Sequence, residues 1–443
     1  MSKFPLLLLA LSIEFGHLAH AEDLLQVYQQ ALQADPTLKA AEAKVQIGDA
    51  QKGQALGQML PQISGTANWS ENKQSISTRN GNNSFDSTYP GTRYYVSLSQ
   101  SVIDFAKFWA WRRAQETEAQ FELERIDAQH SLMFKVVERY FGVLEAEDQL
   151  RFIKTEQQAT QQQLLQVQKQ FAKQLIKITD VYEVEAQLDK IEADLIEAES
   201  KVSSAKQNLR ELTNNTPTDL LTLGENVDYK ELEGNLDEWI ALAGNENPAV
   251  AAQKKAIEAA DQDVASQKSR HLPVVDLQLN YYNTDTGYQS TQTPLSQTQV
   301  AALNVTVPIF SGGVTTNQVN EAQSRLALNR HTEEEKLRAV VKETSDAYLT
   351  SNANVRRIKA SNKAVESASK SHAALESAYK YGVATIRDVL VAQQAEFRAK
   401  RDLSQSKYAY IKNRFRFLHA IGAISEENLQ EINAWLVSSS ENL

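Results

Sequence analysis

Pro61-Gln62-Ile63-Ser64-Gly65-Thr66-Ala67-Asn68-Trp69 and, 212 residues on, Pro273-Val274-Val275-Asp276-Leu277-Gln278-Leu279-Asn280-Tyr281 are two copies of one pattern. In each, a proline closes a helical run and residues alternating in polarity follow, the two-residue period of a half-buried strand. Pro36 and Pro248, which follow Asp35 and Asn247, stand at the same spacing of 212. Further along, Phe171 and Tyr379, Ile178 and Ile386, Asp180 and Asp388, and Val181 and Val389 are each 208 apart. The drift from 212 to 208 fits one insertion or deletion in a loop. The chain is therefore a duplication of a unit of about two hundred residues, far beyond the roughly 20–50 of a solenoid.

Each unit reads helix, strand, loop, strand, long helix, turn, helix. In the first, helices are expected over 23–34 and 37–59, split at Asp35-Pro36 because a proline disfavours helix in the residue before it. Strands are expected over 62–72 and 93–103, around a polar, breaker-rich loop 73–92 containing Asn80-Gly81-Asn82-Asn83 and Tyr89-Pro90-Gly91. Tyr94, Val96, Leu98 and Val102 fall on one strand face, and Tyr95, Ser97, Ser99 and Ser101 on the other. The second unit repeats this with strands at 274–283 and 298–309 flanking loop 284–297.

From Phe105 to about Lys173 there is no proline and one glycine, Gly142, and from Val314 to Lys380 there is neither. Some 65 helical residues would span about 100 Å, a rod no compact domain needs. Val181, Val184, Leu188, Ile191, Leu195, Ala198, Val202, Ala205, Leu209 and Leu212 alternate steps of three and four, which is the seam of a left-handed coiled coil. Tyr408, Ile411, Phe415 and Leu418 keep part of it in the second unit.

Composition narrows the function. The 443 residues carry 46 Lys and Arg against 56 Asp and Glu, a net charge of −10, the wrong sign for a nucleic-acid binder. Hydrophobic residues at 42% suffice for a core, and 16 Gly with 9 Pro are few for this length, so uninterrupted elements are long. The absence of cysteine removes disulfides, thiolate metal sites and cysteine nucleophiles. A mean hydropathy of −0.45, with no long apolar run after the N-terminus, excludes helical spans but not a β-barrel, whose strands are short and alternate. Residues 1–21 read as a secretory signal, with Lys3, a Leu-rich run from Pro5 to Ile13, and Ala19-His20-Ala21 as a cleavage pattern. A buried N-terminal helix is the competing reading. The remainder divides into a first repeat 22–213, a linker 214–236, a second repeat 237–421 and a tail 422–443, the linker and tail being expected beside the rods.

Four strands cannot close a membrane barrel, which needs about eight at least, and open edges cannot stand in hydrocarbon. Either the strands form a small soluble sheet or several chains pool them. Phe105, Phe108, Trp109 and Trp111 cluster where the second strand becomes helix, and Phe310 holds the matching place in the second repeat. Trp69, Tyr94, Tyr95, Tyr281, Tyr282 and Tyr288 lie on or beside strands. Aromatics gather at membrane interfaces, and core packing is the alternative.

The chain resembles the TolC family of outer-membrane efflux and secretion channels. Leu60-Pro61-Gln62 and Leu272-Pro273-Val274 match the family's helix-to-strand entry. Ser99-Gln100-Ser101-Val102-Ile103-Asp104 and Val307-Pro308-Ile309-Phe310-Ser311-Gly312-Gly313 match its strand-to-helix exits. Ala378-Tyr379-Lys380-Tyr381-Gly382-Val383 with Ile386-Arg387-Asp388-Val389-Leu390 matches the turn at the tip of its second helical hairpin. The resemblance spans 23–435 and includes the duplication. It implies a mainly α fold in which long coiled-coil hairpins form an α-barrel. The four antiparallel strands of each of three chains would join in a twelve-stranded transmembrane β-barrel. It further implies a homotrimer in the outer membrane with a long periplasmic part. This would be the passive exit duct for an inner-membrane ABC or proton-driven pump joined through a periplasmic adaptor. No nucleic acid and no cofactor enter this picture.

The resemblance also places residues at the tip turns 173–181 and 381–388. Asp388 matches a position lining the periplasmic constriction, where three copies would form a carboxylate ring favouring cations. Its simpler reading is an acidic residue favoured at a helix N-terminus. Asp180 and Tyr379 match a pair that holds the family's tunnel closed, with Thr179 beside them. Asp180 as an ordinary helix start is the alternative. Those relatives carry Arg where this chain has Ala384 and a second acid where it has Val391, so that lock and second ring are expected to be missing. Arg387 is a nearby substitute.

The mature histidines His130, His271, His331, His372 and His419 show no metal-ligand pair, and there is no phosphate loop or nucleophile elbow. An enzyme is not expected. A periplasmic coiled-coil adaptor or structural protein without a barrel is the remaining rival.

Overall fold

A computed structural model describes residues 21–77, 84–217, 219–225, 227–285 and 295–438. The signal segment up to residue 20, Asn80-Gly81-Asn82-Asn83, Tyr288 and residues 439–443 lie outside them. In chain order the elements are α1 (Leu24–Ala34), α2 (Pro36–Gly57), β1 (Gln62–Ser77), β2 (Ser84–Ile103), α3 (Phe105–Ala172) and α4 (Ile178–Thr213). They continue with β3 (Thr222–Leu223), α5 (Leu236–Glu246), α6 (Pro248–Ser269), β4 (Val274–Asp285), β5 (Ser296–Thr306), α7 (Val314–Lys380), α8 (Ile386–Ala420), α9 (Glu426–Asn433) and β6 (Leu436–Val437). The protein is mainly helical and internally duplicated, with one small antiparallel sheet. α3 has 68 residues and α7 has 67, the two rods read from missing breakers.

The chain folds as two compact units, one of residues 39–128 and 244–341, the other of 1–38, 129–243 and 342–443. The first holds the sheet, in the order β1-β2-β4-β5, every pair antiparallel. β2–β4 pairing joins the two repeats. The register sorts the side chains into two faces. Ile63 stands opposite Leu98, Leu98 opposite Leu279, and Leu279 opposite Ala301, with Val96 beside Tyr281 and Leu277 beside Leu303 on the same face. The other face carries Ser64, Thr66, Ser97, Ser99, Tyr95, Gln278, Asn280 and Tyr282. There the Ser64 and Ser97 hydroxyls meet at 2.8 Å and the Tyr95 and Tyr282 rings stack at 5.6 Å. No described residue covers the apolar face: Ile63 is 71% exposed, Leu303 64% and Val305 61%.

Three sequence expectations on the sheet are corrected. The loop expected over 73–92 is largely strand, since β1 runs to Ser77 and β2 starts at Ser84. Polar residues in alternation extend a ladder as well as apolar ones do. Pro90 stands opposite Glu71 on β1, and the last described pair between β2 and β4 is Thr92 with Asp285, so no described β4 residue faces the proline, which has no N–H to give a ladder. Likewise the loop 284–297 shrinks, as β4 extends to Asp285 and β5 begins at Ser296. The last strand ends at Thr306 rather than 309: Pro308 cannot donate to the ladder, and Ile309 and Phe310 stand exposed after it. Gly312 and Gly313 then take φ of +61° and +83°, a reversal that side chains would strain. In this unit α2 is tied to α3 by Lys44–Glu124 (3.2 Å) and Lys52–Glu118 (2.6 Å), and α6 to α3 by Lys255–Glu116 (3.0 Å) and Arg113–Asp263 (2.8 Å).

In the other unit, the heptad residues of α4 are buried or half-buried throughout, and Val184, Ile191 and Leu209 are almost fully so. The partial seam of α8 is deeper, with Tyr408, Ile411, Phe415 and also Phe417 in the core. α1 packs on α4 and α9. Its Asp23 makes a capping box with Gln26, and the Leu24 amide donates to Asn433 (3.0 Å). The linker and the tail pair with each other as β3 and β6, Thr222 opposite Val437. The buried Tyr140 hydroxyl donates to the Glu22 and Leu221 carbonyls at 3.1 and 2.9 Å, pinning the start of the described chain. If the α4 seam holds this unit, Ile191→Ala should cost about 2–4 kcal/mol. Glu192→Ala, on the exposed face next to it, should change stability by less than about 0.5 kcal/mol. Denaturant unfolding followed by circular dichroism checks both.

Candidate functional site

The site is the pair of hairpin ends within the second unit, at residues 173–177 between α3 and α4 and 381–385 between α7 and α8. Both turns close with a left-handed residue, Gln174 at φ +57° and Gly382 at +71°, again 208 apart. In both, the amide following that residue reaches back to the last helical turn, Leu175 to the Gln170 carbonyl (3.0 Å) and Val383 to that of Ala378 (2.9 Å). This is how helices end when the chain must reverse. Beneath the turns, Val167, Val181, Val184, Ile386 and Leu390 form an apolar cluster, with Leu164, Ile176 and Tyr379 packed on it. The ends of α3 and α7 and the starts of α4 and α8 are thus fastened together at the tip.

The duplication gives unlike caps. Thr385 is the N-cap of α8. Its hydroxyl accepts from the Asp388 amide (3.2 Å), and its amide and hydroxyl donate to the Asp388 carboxylate (2.9 and 2.7 Å). Asp388 is exposed. Its carboxyl is held below the usual range, first by the Thr385 hydroxyl, then by the Thr385 amide, with Arg387 adding the least. The matching N-cap of α4 is Lys177, which makes no side-chain cap. Asp180 consequently stands free of a box, half-buried, with Thr179 Oγ1 3.5 Å from its carboxylate.

Tyr379 is half-buried and donates its hydroxyl to Gln170 Oε1 at 2.9 Å. Burial, and secondly the negative charge of Asp180, raise its pKa. Within the chain, then, Asp180 lies close enough to act on Tyr379 electrostatically, while the hydrogen bond goes to Gln170. Sequence reasoning missed Gln170, because nothing marks one glutamine within the Gln-rich run 157–170. Ala384 and Val391 bring no charge to the site, and Val391 is 60% exposed. Leu175, Tyr381 and Val383 project from the turns, 71%, 85% and 82% exposed.

Up from the tip, α3 meets α8 through polar contacts: Gln393 to Thr160 (3.3 Å), Arg401 to the buried Glu156 (2.7 Å), Ser404 and Tyr408 both to Asp148 (2.9 Å), and Lys412 to Glu145 (2.6 Å). Burial pushes the Tyr408 hydroxyl far up, so it stays a donor. In the sheet-bearing unit, the aromatics expected at a membrane interface stand at the start of α3. There Phe105 and Phe108 are exposed, and Phe108 lies 5.2 Å from Trp109 and 6.1 Å from Trp111, ring to ring. Among the described residues no three acidic or histidine side chains converge as a metal site, and no helix is long and apolar enough to cross a membrane.

The outer membrane efflux protein family model matches residues 27–215 and then 239–423. The chain belongs to that family. It is 28% identical over 445 residues to outer membrane protein TolC of Escherichia coli, covering 98% of this chain and 89% of TolC. It is 28% identical over 429 residues to the alkaline protease secretion protein AprF of Pseudomonas aeruginosa, covering 95% and 88%. Its fold superposes on the CmeC outer membrane channel of Campylobacter jejuni with a TM-score of 0.80 at 18% identity, over 95% of this chain and 91% of CmeC. The protein is an outer-membrane protein of a channel and transport family, not of an enzyme family. The capping box at 385–388 gives a local test. Thr385→Ala should speed hydrogen exchange at the Ile386–Val389 amides about fivefold and leave the matching amides 178–181 unchanged.

Proposed function

We propose that three copies of this chain form the exit duct of a tripartite efflux or type I secretion system. The sheet carries the proposal. It has one uncovered apolar face, one polar face and, among the described residues, two unpaired edges, β1 and β5. In hydrocarbon such edges must be paired. Three sheets joined β1 to β5 close a twelve-stranded barrel with the apolar face to lipid and the polar face to the lumen. Phe105, Phe108, Trp109, Trp111 and Phe310 sit at the interface on the helical side. The mature chain runs from residue 22 after loss of 1–21. Its repeats 22–213 and 237–421 form the wall of the periplasmic tunnel, and segments 214–236 and 422–443 are its equatorial part.

The gate in this reading is the tip. Asp388, kept ionised by its cap, forms the constriction ring. Asp180, Thr179 and Tyr379 hold neighbouring hairpins together, without the contributions of the missing charges at Ala384 and Val391. The exposed Leu175, Tyr381 and Val383 dock a periplasmic adaptor, which links the duct to an ABC or proton-driven pump. The duct performs no catalysis itself.

Two measurements test this. Outer-membrane fractions should yield detergent-resistant trimers, whereas a soluble monomer or dimer would refute the barrel. In planar bilayers, Asp388→Asn should bring the cation-to-anion permeability ratio down toward one. Tyr379→Phe should raise the open-to-closed ratio by about two- to tenfold per subunit, the worth of one hydrogen bond. No change in either variant would remove the gate assignment.

A further inference from the structure

Seven residues before Tyr379 on α7, about two helical turns from it, His372 Nδ1 lies 2.6 Å from Glu396 Oε2 on α8. Glu396 is only 8% exposed, and its other oxygen takes Lys400 at 2.7 Å. His372 is half-buried and lines a cavity of about 230 Å3 between α3 and the α7–α8 hairpin. The charged and titratable groups around the ring come from two helices. On α7 they are Glu376 and Lys380, paired with each other at 2.8 Å, and Tyr379; on α8 they are Glu396 and Lys400. From α3 the cavity is faced by Gln162, Gln163 and Gln166, with Ala159 and Val167, none of which titrates. Two polar pins therefore hold the end of α7: Tyr379 to Gln170 on α3, and His372 to Glu396 on α8.

We propose that His372 is a pH-dependent pin of the tip, clamping α7 to α8 when its imidazole is charged and releasing it as the ring loses its proton. This rests on the tip being the gate. A histidine changes charge between about pH 5 and 8. A charged imidazole adds an ion pair to its hydrogen bond with the buried carboxylate, which a neutral ring does not. The clamp holds where the imidazole carries its charge and is lost where it does not. Asp388, whose carboxyl is held below the usual range, stays ionised over that window and adds no slope of its own. Release frees α7 just above Tyr379, so the closed tip is weakest at high pH.

The test is open probability of the full-length protein in planar bilayers between pH 5 and 8. The open-to-closed ratio should rise about fivefold per subunit across that range. His372→Gln should flatten the response at the high-pH level, and His372→Lys, permanently charged, should flatten it near the low-pH level. The other histidines are unaltered in both comparisons. An unchanged pH response in His372→Gln, or a flat response in the native chain with normal conductance, overturns this inference and leaves the channel intact. Absence of any current overturns the channel reading and this inference together.

Discussion

Backbone amides and carbonyls in hydrocarbon must be hydrogen-bonded to one another, and a single chain of this protein cannot do it. The four strands of its sheet satisfy each other across three ladders and, among the described residues, leave the outer sides of β1 and β5 unpaired. The same register that creates the ladders turns Ile63, Val96, Leu279 and Leu303 toward one uncovered face. An exposed apolar sheet with free edges is an aggregation hazard in water and, in the proposed trimer, a third of a barrel wall in lipid. The need to pair those edges in kind is what makes an assembly of identical copies the natural reading. The rods and their tips then have something to extend.

Duplication supplied two hairpins, and their ends have diverged. Both hairpins reverse on a left-handed residue, but one is Gly382 and the other Gln174, so the second turn is the less strained. Both following helices begin with an acid one turn in. Only α8 has a threonine before it, and that single hydroxyl decides that Asp388 is a bonded, firmly ionised cap residue while Asp180 is left to face Tyr379. Two equivalent aspartates thus sit in different hydrogen-bonding settings because of one neighbour, Thr385 against Lys177.

Helix contacts near the tip differ in kind. An apolar cluster of valines with Ile386 and Leu390 fastens the helices at the very end. Above it, α3 and α8 are joined by hydrogen bonds and ion pairs such as Arg401–Glu156. Hydrogen bonds are directional, so such a boundary specifies one register and is weakened when it shifts, whereas the apolar contact tolerates small displacement.

The sequence by itself determined the duplication, the rods and the alternation of the strands, because these are periodic and local: missing prolines and glycines over 314–380, a three-four step along α4, a two-residue step after Pro61 and Pro273. It also marked the tip turns, through residues repeated 208 apart. Only the tertiary structure decided where the strands end. A polar residue in a ladder is indistinguishable in sequence from one in a loop, and Pro90, a breaker by its residue type, stands inside β2 opposite Glu71. Tertiary structure alone paired Tyr379 with Gln170 and His372 with Glu396. These partners sit on separate turns or separate helices, and no spacing along the chain encodes which side chains long helices bring face to face.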